Sequence, residues 1–447
     1  MVQRTILENG VRLVSEEVPG MPSVTVGIWV ENGSRDEAPE ENGIAHFLEH
    51  LFFKGTERRT AAAIAEEIDA VGGVLDAFTS KEYTCYYAKV LAEHLPLAFD
   101  LLTDVFLHSR FDEVEIERER SVICQEIAQI EDTPDDLIHD LFHLDYWRGH
   151  PLSWPISGTA AGVSRFQRSD FLRYLNRRYR PDRIVVAMAG GARHEDVCAH
   201  LGSALSSLKG KATIVPSEVP VARPGVYPHR RDLEQTHLCL GVPCVSVEDP
   251  AWYAAYLLHT ALGGGMSSRL FQEIRERQGL VYDVTSFLST YRGAGYLGIY
   301  AATSTESVPK VIELACATLR DIVRDGISAD ELRRAKGHAK GGLLLGLETS
   351  EARMNRLARC EMYFRRDIPI TEVAEEIERV TLDQVHALAT RCFSGEGRAL
   401  TLLGEVPRKV DYEALLGGGG QGETGKRGRG ETGTGETGKR GNGETEE

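Results

Sequence analysis

Long apolar runs are missing from this sequence of 447 residues: none approaches the roughly 18 to 20 residues that a membrane-spanning helix needs. The first residues, MVQRTILENGVRLV, lack the basic start, apolar stretch and small-residue cleavage site of a secretory signal. They are also too poor in Arg and Ser for a transit peptide. We therefore expect a protein that does not span a membrane and that resides in the cytoplasm.

The sequence also lacks closely paired cysteines and a net positive charge. The eight cysteines are scattered without a CxxC pair and lie mostly in apolar stretches, such as residues 121–124. This pattern is typical of buried thiols in a reducing compartment and argues against a disulfide framework or a zinc ribbon. The formal net charge of −16 argues against a nucleic-acid partner, because phosphates require a basic surface.

The chain is too long for one ordinary core, and its pattern of elements repeats. Strand and helix patterns in the first half recur in the same order after about residue 225. Residues 111–116 parallel residues 327–332, and residues 131–133 parallel residues 347–349, both at an offset of 216. We predict an α+β fold of two homologous domains, each a mixed or antiparallel sheet covered by helices.

The domain boundaries follow from composition. Residues 1–205 form the predicted N-terminal catalytic domain, and residues 225–416 form its C-terminal counterpart. Residues 206–224 are rich in Ser, Pro and Gly without periodicity, which is typical of a linker. Residues 417–447 form a low-complexity tail that cannot bury a core, so we predict that it is disordered and carries no chemistry.

The strongest chemical signal is the sequence HFLEH at residues 46–50. On a helix, His46, Glu49 and His50 share one face, while their neighbours are apolar. Two histidines at positions i and i+4 can bind zinc, with a third ligand from elsewhere and a water in the fourth position. The alternative is that three polar residues coincide on a solvated helix face.

A second predicted helix, over residues 115–130, supplies two carboxylates on one face. Glu119 and Glu126 are seven residues apart and lie among apolar side chains, as a metal ligand and its helper would. At the offset of 216 their counterparts are Ala335 and Gly342, which carry no carboxylate. We therefore expect the chemistry in the first copy.

The motif HFLEH, followed 76 residues after its last His by Glu126, resembles the pitrilysin/insulinase family of inverted-motif zinc peptidases. It is most similar to the short branch that contains the mitochondrial processing peptidase beta subunit and its bacterial homologues. The resemblance extends over residues 1 to about 410. Further matching segments are residues 53–56, 72–79, 117–120, 150–151, 158–159, 268–271, 274–276 and 279–282.

The resemblance implies a role for each residue of the motif. His46, His50 and Glu126 would bind one Zn²⁺ per chain, and Glu119 would support the site from close by. Glu49 would act as the catalytic base that takes the proton from the metal-bound water.

Members of the family also use an Arg and a Tyr from the domain that faces the metal, and Arg275 and Tyr282 match that pair. Both groups are suitable donors to a carbonyl or an oxyanion. The structural alternative is a salt bridge on a helix for Arg275 and an ordinary strand position for Tyr282.

The resemblance further implies that substrate adds as an extra strand to the edge formed by Asp76, Ala77, Phe78 and Thr79. The family commonly has Asn where this chain has Asp76, so an amide that can donate becomes a carboxylate that only accepts. We expect a shift of preference towards basic residues or slower kinetics.

The sequence thus predicts a zinc metalloendopeptidase that cleaves peptides or unfolded segments. Longer members of the family have four such domains, so a chain with two is expected to pair as a homodimer, or as a heterodimer with a related chain. The alternative function is a noncatalytic structural or substrate-holding subunit of a larger complex. The intact motif residues argue against that alternative.

One other polar grouping recurs at helical spacing: Asp136, His139, Asp140 and His143. Its strongly polar surroundings favour a solvated helix face over a second metal site.

Overall fold

The computed structural model describes residues 2–212, 218–395 and 397–417. The predicted tail beyond residue 417 and the middle of the predicted linker, residues 213–217, lie outside the described residues. The linker residues that are described, 206–212 and 218–224, form neither helix nor strand.

The first half of the described chain folds around a six-stranded sheet. Its strands are β1 (Val2–Ile6), β2 (Arg12–Glu17), β3 (Ser23–Val30), β4 (Val74–Thr79), β5 (Thr84–Leu91) and β6 (Ile184–Gly190). The strand order is β1-β2-β6-β3-β5-β4, and the neighbours are antiparallel except for the parallel pair β2 and β6. Strand β4 therefore forms one edge of this sheet.

Helices connect and cover these strands. They are α1 (Ile44–Leu51), α2 (Ala61–Asp69), α3 (Leu95–His108), α4 (Glu113–Glu131), α5 (Pro134–Tyr146), α6 (Ala160–Val163), α7 (Arg168–Arg178), α8 (His194–Val197) and α9 (Ser203–Leu205). The Thr60 hydroxyl accepts a hydrogen bond from the N–H of Ala63 at 3.1 Å and caps α2.

The second half repeats this plan around a five-stranded sheet. Its strands are β7 (Gly225–Arg230), β8 (Thr236–Pro243), β9 (Val281–Tyr291), β10 (Ala294–Thr303) and β11 (Ala399–Gly404). Its order, β7-β11-β8-β10-β9, matches the first sheet without β1, and the parallel pair is now β7 and β11. Strand β9 at the edge is the counterpart of β4. The predicted α+β architecture of two mixed sheets covered by helices is confirmed.

The helices of the second half are α10 (Trp252–Gly263), α11 (Val308–Asp325), α12 (Ala329–Leu345), α13 (Ser350–Phe364), α14 (Ile370–Arg379), α15 (Leu382–Phe393) and α16 (Tyr412–Gly417). A π-helix, Phe271–Arg277, precedes β9. No helix in the described ranges is long and apolar enough to cross a membrane.

Each half of the chain contributes one helix that packs on the sheet of the other half, an exchange of helices between the two domains. Helix α13 packs on β2, β3 and β6 of the first sheet, and α5 packs on β8 and β11 of the second. The approach is close at two glycines of central strands. A Cβ on Gly27 would lie 2.9 Å from the sulfur of Met354 in α13, and a Cβ on Gly241 would lie 2.2 Å from the ring of Phe142 in α5. Each sheet is thus completed by the other half of the chain.

This exchange corrects the prediction of a solvated face on α5. His143 accepts from the hydroxyls of Tyr296 and Tyr291 at 3.2 and 3.4 Å, and His139 lies against the rings of Phe287 and Tyr300. For these two histidines the prediction was wrong, because the sheet that covers them comes from the other half of the chain, whereas Asp136 is exposed as predicted.

Candidate active site

Helix α1 is held by its apolar residues and presents its polar residues to α4. Phe47, Leu48 and Leu51 are at most 1% exposed and belong to the core of the first domain. At helical spacing the opposite face carries His46, Glu49 and His50, and α4 packs against that helix. The sequence pattern therefore positions three chemical groups together.

The predicted metal ligands converge. The Nε2 atoms of His46 and His50 each lie 3.6 Å from a different carboxylate oxygen of Glu126. One potential ligand atom from each of the three residues lies within 4.8 Å of the others. This is the one such group found among the described residues.

These separations suit a shared metal ion better than hydrogen bonds. A nitrogen–oxygen distance of 3.6 Å is too long for a hydrogen bond. Two ligand atoms that each lie about 2.0 to 2.1 Å from a tetrahedral zinc ion are about 3.4 Å apart. Two imidazoles and a carboxylate are also a donor set that zinc accepts in catalytic sites. The residues present therefore fit a zinc ion.

Glu119 lies behind the ligands, seven residues or about two helical turns from Glu126 on α4. Its carboxylate contacts Nδ1 of His50 at 3.1 Å and accepts from Nζ of Lys54 at 2.8 Å. Binding at Nδ1 leaves Nε2 of His50 as the free acceptor, which is the atom that faces Glu126. Burial raises the pKa of Glu119, but the contacts with His50 and Lys54 outweigh burial and lower it.

The two histidines differ in their charge environment. Burial lowers the pKa of His46 to about 4. For His50 burial also disfavours the cation, but the carboxylates of Glu119 and Glu126 outweigh it and raise the pKa to about 9. The contact with His50 lowers the pKa of Glu126. The carboxylates thus favour positive charge at His50, a charge that a metal ion bound at this centre would also supply.

Glu49 lies beside the ligands and is held from β4. The hydroxyl of Thr79 donates to a carboxylate oxygen of Glu49 at 2.5 Å. Burial raises the pKa of Glu49, and the charges of Asp76 and Glu126 add to the effect. Glu49 is therefore a carboxylate with increased affinity for a proton, as a general base requires.

The four predicted substrate-strand residues all lie on β4, in two orientations. The side chain of Thr79 is directed to Glu49, on the face of the sheet that α1 covers. Phe78, one position earlier, packs edge-on against Trp29 on the opposite face. Ala77 is buried, whereas Asp76 is exposed.

Arg275 and Tyr282 lie together, but on the second domain. The Arg275 guanidinium lies over the rings of Phe271 and Tyr282, at 4.5 and 5.4 Å from their centroids. The Tyr282 side chain on β9 is 83% exposed. Among the described residues, neither forms a hydrogen bond or ion pair with the metal ligands of its own chain.

Glu37 positions the site and was not predicted from the sequence. Glu37 is 4% exposed and accepts from the backbone N–H groups of Gly43 and Ala45, at 2.9 and 3.0 Å, and from the amide of Asn42 at 3.1 Å. It thereby caps the first turn of α1. Burial raises the pKa of Glu37 to about 8, although these N–H groups and Lys81 oppose the shift.

The signal for Glu37 was indirect. The residue before α1 is Gly43, which has no side chain to cap the helix, so a remote acceptor was required. Its identity could not be deduced, because Glu37 lies six residues upstream in an irregular segment.

Two family models match this chain. Residues 12–160 match the domain described as insulinase (peptidase family M16), and residues 165–337 match the domain described as peptidase M16 inactive domain. The second matched range includes Ala335, one of the two positions at which the carboxylates are lost.

Similar proteins span nearly the whole chain. The protein named uncharacterized zinc protease YmxG, from Bacillus subtilis, is 42% identical over 406 residues, which cover 90% of this chain and 98% of the relative. The protein named uncharacterized zinc protease Rv2782c, from Mycobacterium tuberculosis, is 43% identical over 400 residues, which cover 88% of this chain and 91% of the relative.

Solved structures share the fold. A protease from Helicobacter pylori superposes with a TM-score of 0.84 at 21% identity and covers 91% of this chain and 99% of its own. The peptidase M16 inactive domain from Pseudomonas fluorescens gives a TM-score of 0.84 at 19% identity, with coverage of 91% and 98%. The predicted resemblance to the pitrilysin/insulinase family is confirmed, and the chain belongs to the insulinase family of peptidases, M16.

Proposed function

We propose that this protein is a zinc metalloendopeptidase that hydrolyses peptide bonds in peptides or unfolded segments. The observation that carries the proposal is the convergence of two imidazoles and a carboxylate on one centre, with Glu49 on the same helix face. Relatives at 42% and 43% identity that are named zinc proteases support it.

His46, His50 and Glu126 would hold one zinc ion per chain, and Glu119 would fix the orientation of His50. When bound, zinc supplies two effects: it lowers the pKa of a water ligand towards about 7 and polarises the scissile carbonyl.

Glu49 would move the proton. It would take the proton of the attacking water and deliver it to the amine that leaves. The hydrogen bond from Thr79 holds one carboxylate oxygen of Glu49 and would leave the other for the proton. The raised pKa of Glu49 favours transient protonation of this carboxylate.

Substrate recognition would use the backbone of β4. An edge strand offers unpaired N–H and C=O groups to an extended peptide, which binds as a further strand of the sheet. This mode selects unfolded segments over folded proteins, because a folded chain has already paired its backbone groups.

Arg275 and Tyr282 would complete the site of a second copy in a homodimer. The exposure of Tyr282 supports this role, because a large aromatic side chain that is 83% exposed is suited to contact another molecule. The guanidinium and the phenol would donate hydrogen bonds to the carbonyl or oxyanion of the bound peptide.

The test is cleavage of quenched fluorescent peptides by wild-type protein, by Glu49→Gln and by chelator-treated protein, with metal content measured on the same samples. Glu66→Gln on the exposed side of α2 is a matched control. We expect wild type and Glu66→Gln to cleave, and Glu49→Gln to retain its metal but lose activity by about 10²-fold or more.

Two outcomes would contradict the proposal. Stoichiometric metal without cleavage of any peptide would favour the noncatalytic, substrate-holding alternative. Protein that binds no metal would remove the basis of the mechanism.

A further inference from the structure

The hydrogen bonds around β5 define which residues of β4 direct their backbone groups towards the free edge. The N–H of Ser80 donates to the carbonyl of Tyr83, and the N–H of Ala92 donates to the carbonyl of Pro22, both at 2.8 Å. The first bond identifies a hydrogen-bonded residue pair at the end of the β4–β5 ladder, and the second identifies one at the end of the β3–β5 ladder. In an antiparallel ladder the N–H and C=O groups of successive residues point in alternating directions. The backbone groups of the even-numbered residues of β4 therefore point towards β5, and those of the odd-numbered residues point towards the open edge.

One donor of this open edge is already occupied. The N–H of Ala77, an odd-numbered residue, donates to Oδ1 of Asp76 at 2.8 Å. A peptide strand that adds to β4 needs this N–H for one of its carbonyls. The Asp76 carboxylate therefore competes with the peptide for a main-chain hydrogen bond.

The competing carboxylate has no cation of its own. Asp76 is exposed and forms no ion pair within the described ranges. The Lys89 ammonium on the neighbouring strand lies 3.5 Å from Glu351 of α13 and is thus engaged elsewhere. The hydroxyl of Tyr87 on β5 contacts this carboxylate, but no cation among the described residues does, so Asp76 keeps an uncompensated negative charge at the strand where a peptide would bind.

Displacement of Asp76 would leave its charge facing the peptide. In a β-sheet, residues directly opposite each other project their side chains to the same face, with Cβ atoms about 4.5 to 5.5 Å apart. One peptide residue pairs with Ala77, and the adjacent peptide residue lies opposite Asp76. Its side chain would therefore meet the released carboxylate.

We infer that Asp76 determines substrate specificity: it holds the Ala77 N–H in the free protein and is displaced best by an extended peptide with Lys or Arg opposite it. The substrate class is a basic, unfolded segment, and an acidic residue at that position is disfavoured. This inference rests on the proposed peptidase function, because it requires a peptide strand at β4.

The experiment measures binding, so that it does not depend on catalysis. Fluorescent peptides with Lys, Gln or Glu placed at each position in turn are titrated into the Glu49→Gln protein, alone and combined with Asp76→Asn or Asp76→Ala. Asp76→Asn removes the charge but keeps an acceptor for the Ala77 N–H, and Asp76→Ala removes both. Glu66→Gln on the exposed side of α2 is the control for loss of a negative charge, because it leaves the contact between Lys89 and Glu351 intact.

We expect one peptide position at which Lys binds about 3- to 30-fold more tightly than Glu. This ratio falls to about one in Asp76→Asn and stays unchanged in Glu66→Gln. The Gln peptide should bind more tightly to Asp76→Ala than to Asp76→Asn, because the Ala77 N–H is then free.

An unchanged ratio in Asp76→Asn overturns the role of the charge, and equal affinity of the Ala and Asn variants overturns the competition. Either result leaves the proposed function intact if the wild-type protein still cleaves peptides. Failure of every peptide to bind or to be cleaved overturns both proposals together.

Discussion

At the scale of single residues, the candidate site depends on side chains that orient the ligands. Glu119 fixes His50 through its Nδ1 atom and is itself held by Lys54. A ligand whose second nitrogen is bound cannot rotate away from the metal without losing that contact. Metal affinity should therefore respond to a residue that never contacts the metal.

We predict that Glu119→Ala lowers zinc affinity by about 10- to 100-fold, because His50 loses the partner that orients it. The measurement is competition for zinc with a chromophoric chelator. Glu117→Gln, exposed on the same helix, is the control and should bind zinc as wild type does. Equal affinity of the Glu119→Ala and wild-type proteins would show that α1 alone orients His50.

A second prediction concerns the cap of α1. Glu37→Ala leaves the N–H groups of Gly43 and Ala45 without their acceptor in a buried place, so the free energy of unfolding should fall by about 2 to 4 kcal/mol. Urea denaturation measures this change, and Glu40→Ala, three residues away and exposed, is the control. A change below about 0.5 kcal/mol would exclude a capping role.

The sequence predicts local relations among these residues well and distant ones poorly. His46, Glu49 and His50 follow from the geometry of one helix turn, and Glu126 follows from the family resemblance. Glu37 and the hydroxyl donor Thr79 act on α1 from segments with no regular spacing to it. Their roles depend on how the loop and the sheet pack, which no periodicity encodes.

At the scale of elements, the exchange of α5 and α13 gives histidines on α5 an unusual environment. Nδ1 of His143 donates to the carbonyl of His139 at 2.8 Å, so Nε2 accepts from Tyr291 and Tyr296. Burial, together with the charge of Lys81, lowers the pKa of His143 to about 3. The neutral ring is therefore part of the contact between α5 and the second sheet.

This shift predicts a loss of stability in acid. The pKa of His143 lies below its unfolded value of about 6.5, so its contribution is complete above pH 6.5 and is lost as the pH falls from 6.5 towards 3. Between pH 7 and pH 5 we expect the chelator-treated protein to lose about 1 to 2 kcal/mol that His143→Gln does not lose. Denaturation at several pH values measures the difference.

The control for this experiment is His108→Gln, because His108 is exposed on α3. It should retain the wild-type dependence on pH. Parallel pH profiles for wild type and His143→Gln would mean that His143 is not held neutral in the folded protein.

Sequence patterns predicted the order of helices and strands but assigned one polar face of α5 to solvent. The polar residues of α5 resemble an exposed face when only neighbouring segments are considered. The aromatic residues that cover them, such as Tyr291 and Tyr296, lie about 150 residues later in the chain. Pairing between distant elements is therefore the part of the fold that composition and periodicity did not reveal.

At the scale of the whole molecule, the proposed homodimer makes a quantitative prediction. Glu49→Gln and Tyr282→Phe chains are each expected to be inactive or strongly impaired. If subunits complete each other, random mixing produces heterodimers in half of the dimers, and one of the two sites in each heterodimer is intact. About a quarter of wild-type activity should therefore return.

Peptide cleavage after unfolding and refolding the two variants together measures this recovery. Refolding each variant alone is the control and should give no recovery. An inactive mixture that nevertheless forms dimers would show that Arg275 and Tyr282 do not serve the site of a partner.

The exchanged helix α13 also bears on how the chain is synthesised. The first sheet has all its strands once β6 ends at Gly190, but the helix that covers its outer face begins only at Ser350. At about 5 to 20 residues per second, the ribosome needs about 10 to 30 s to make the intervening chain. Throughout that interval Trp29, Val185 and Ala187 are not covered by α13. The nascent first domain therefore presents an exposed apolar surface that chaperones or proteases can reach before the protein is complete.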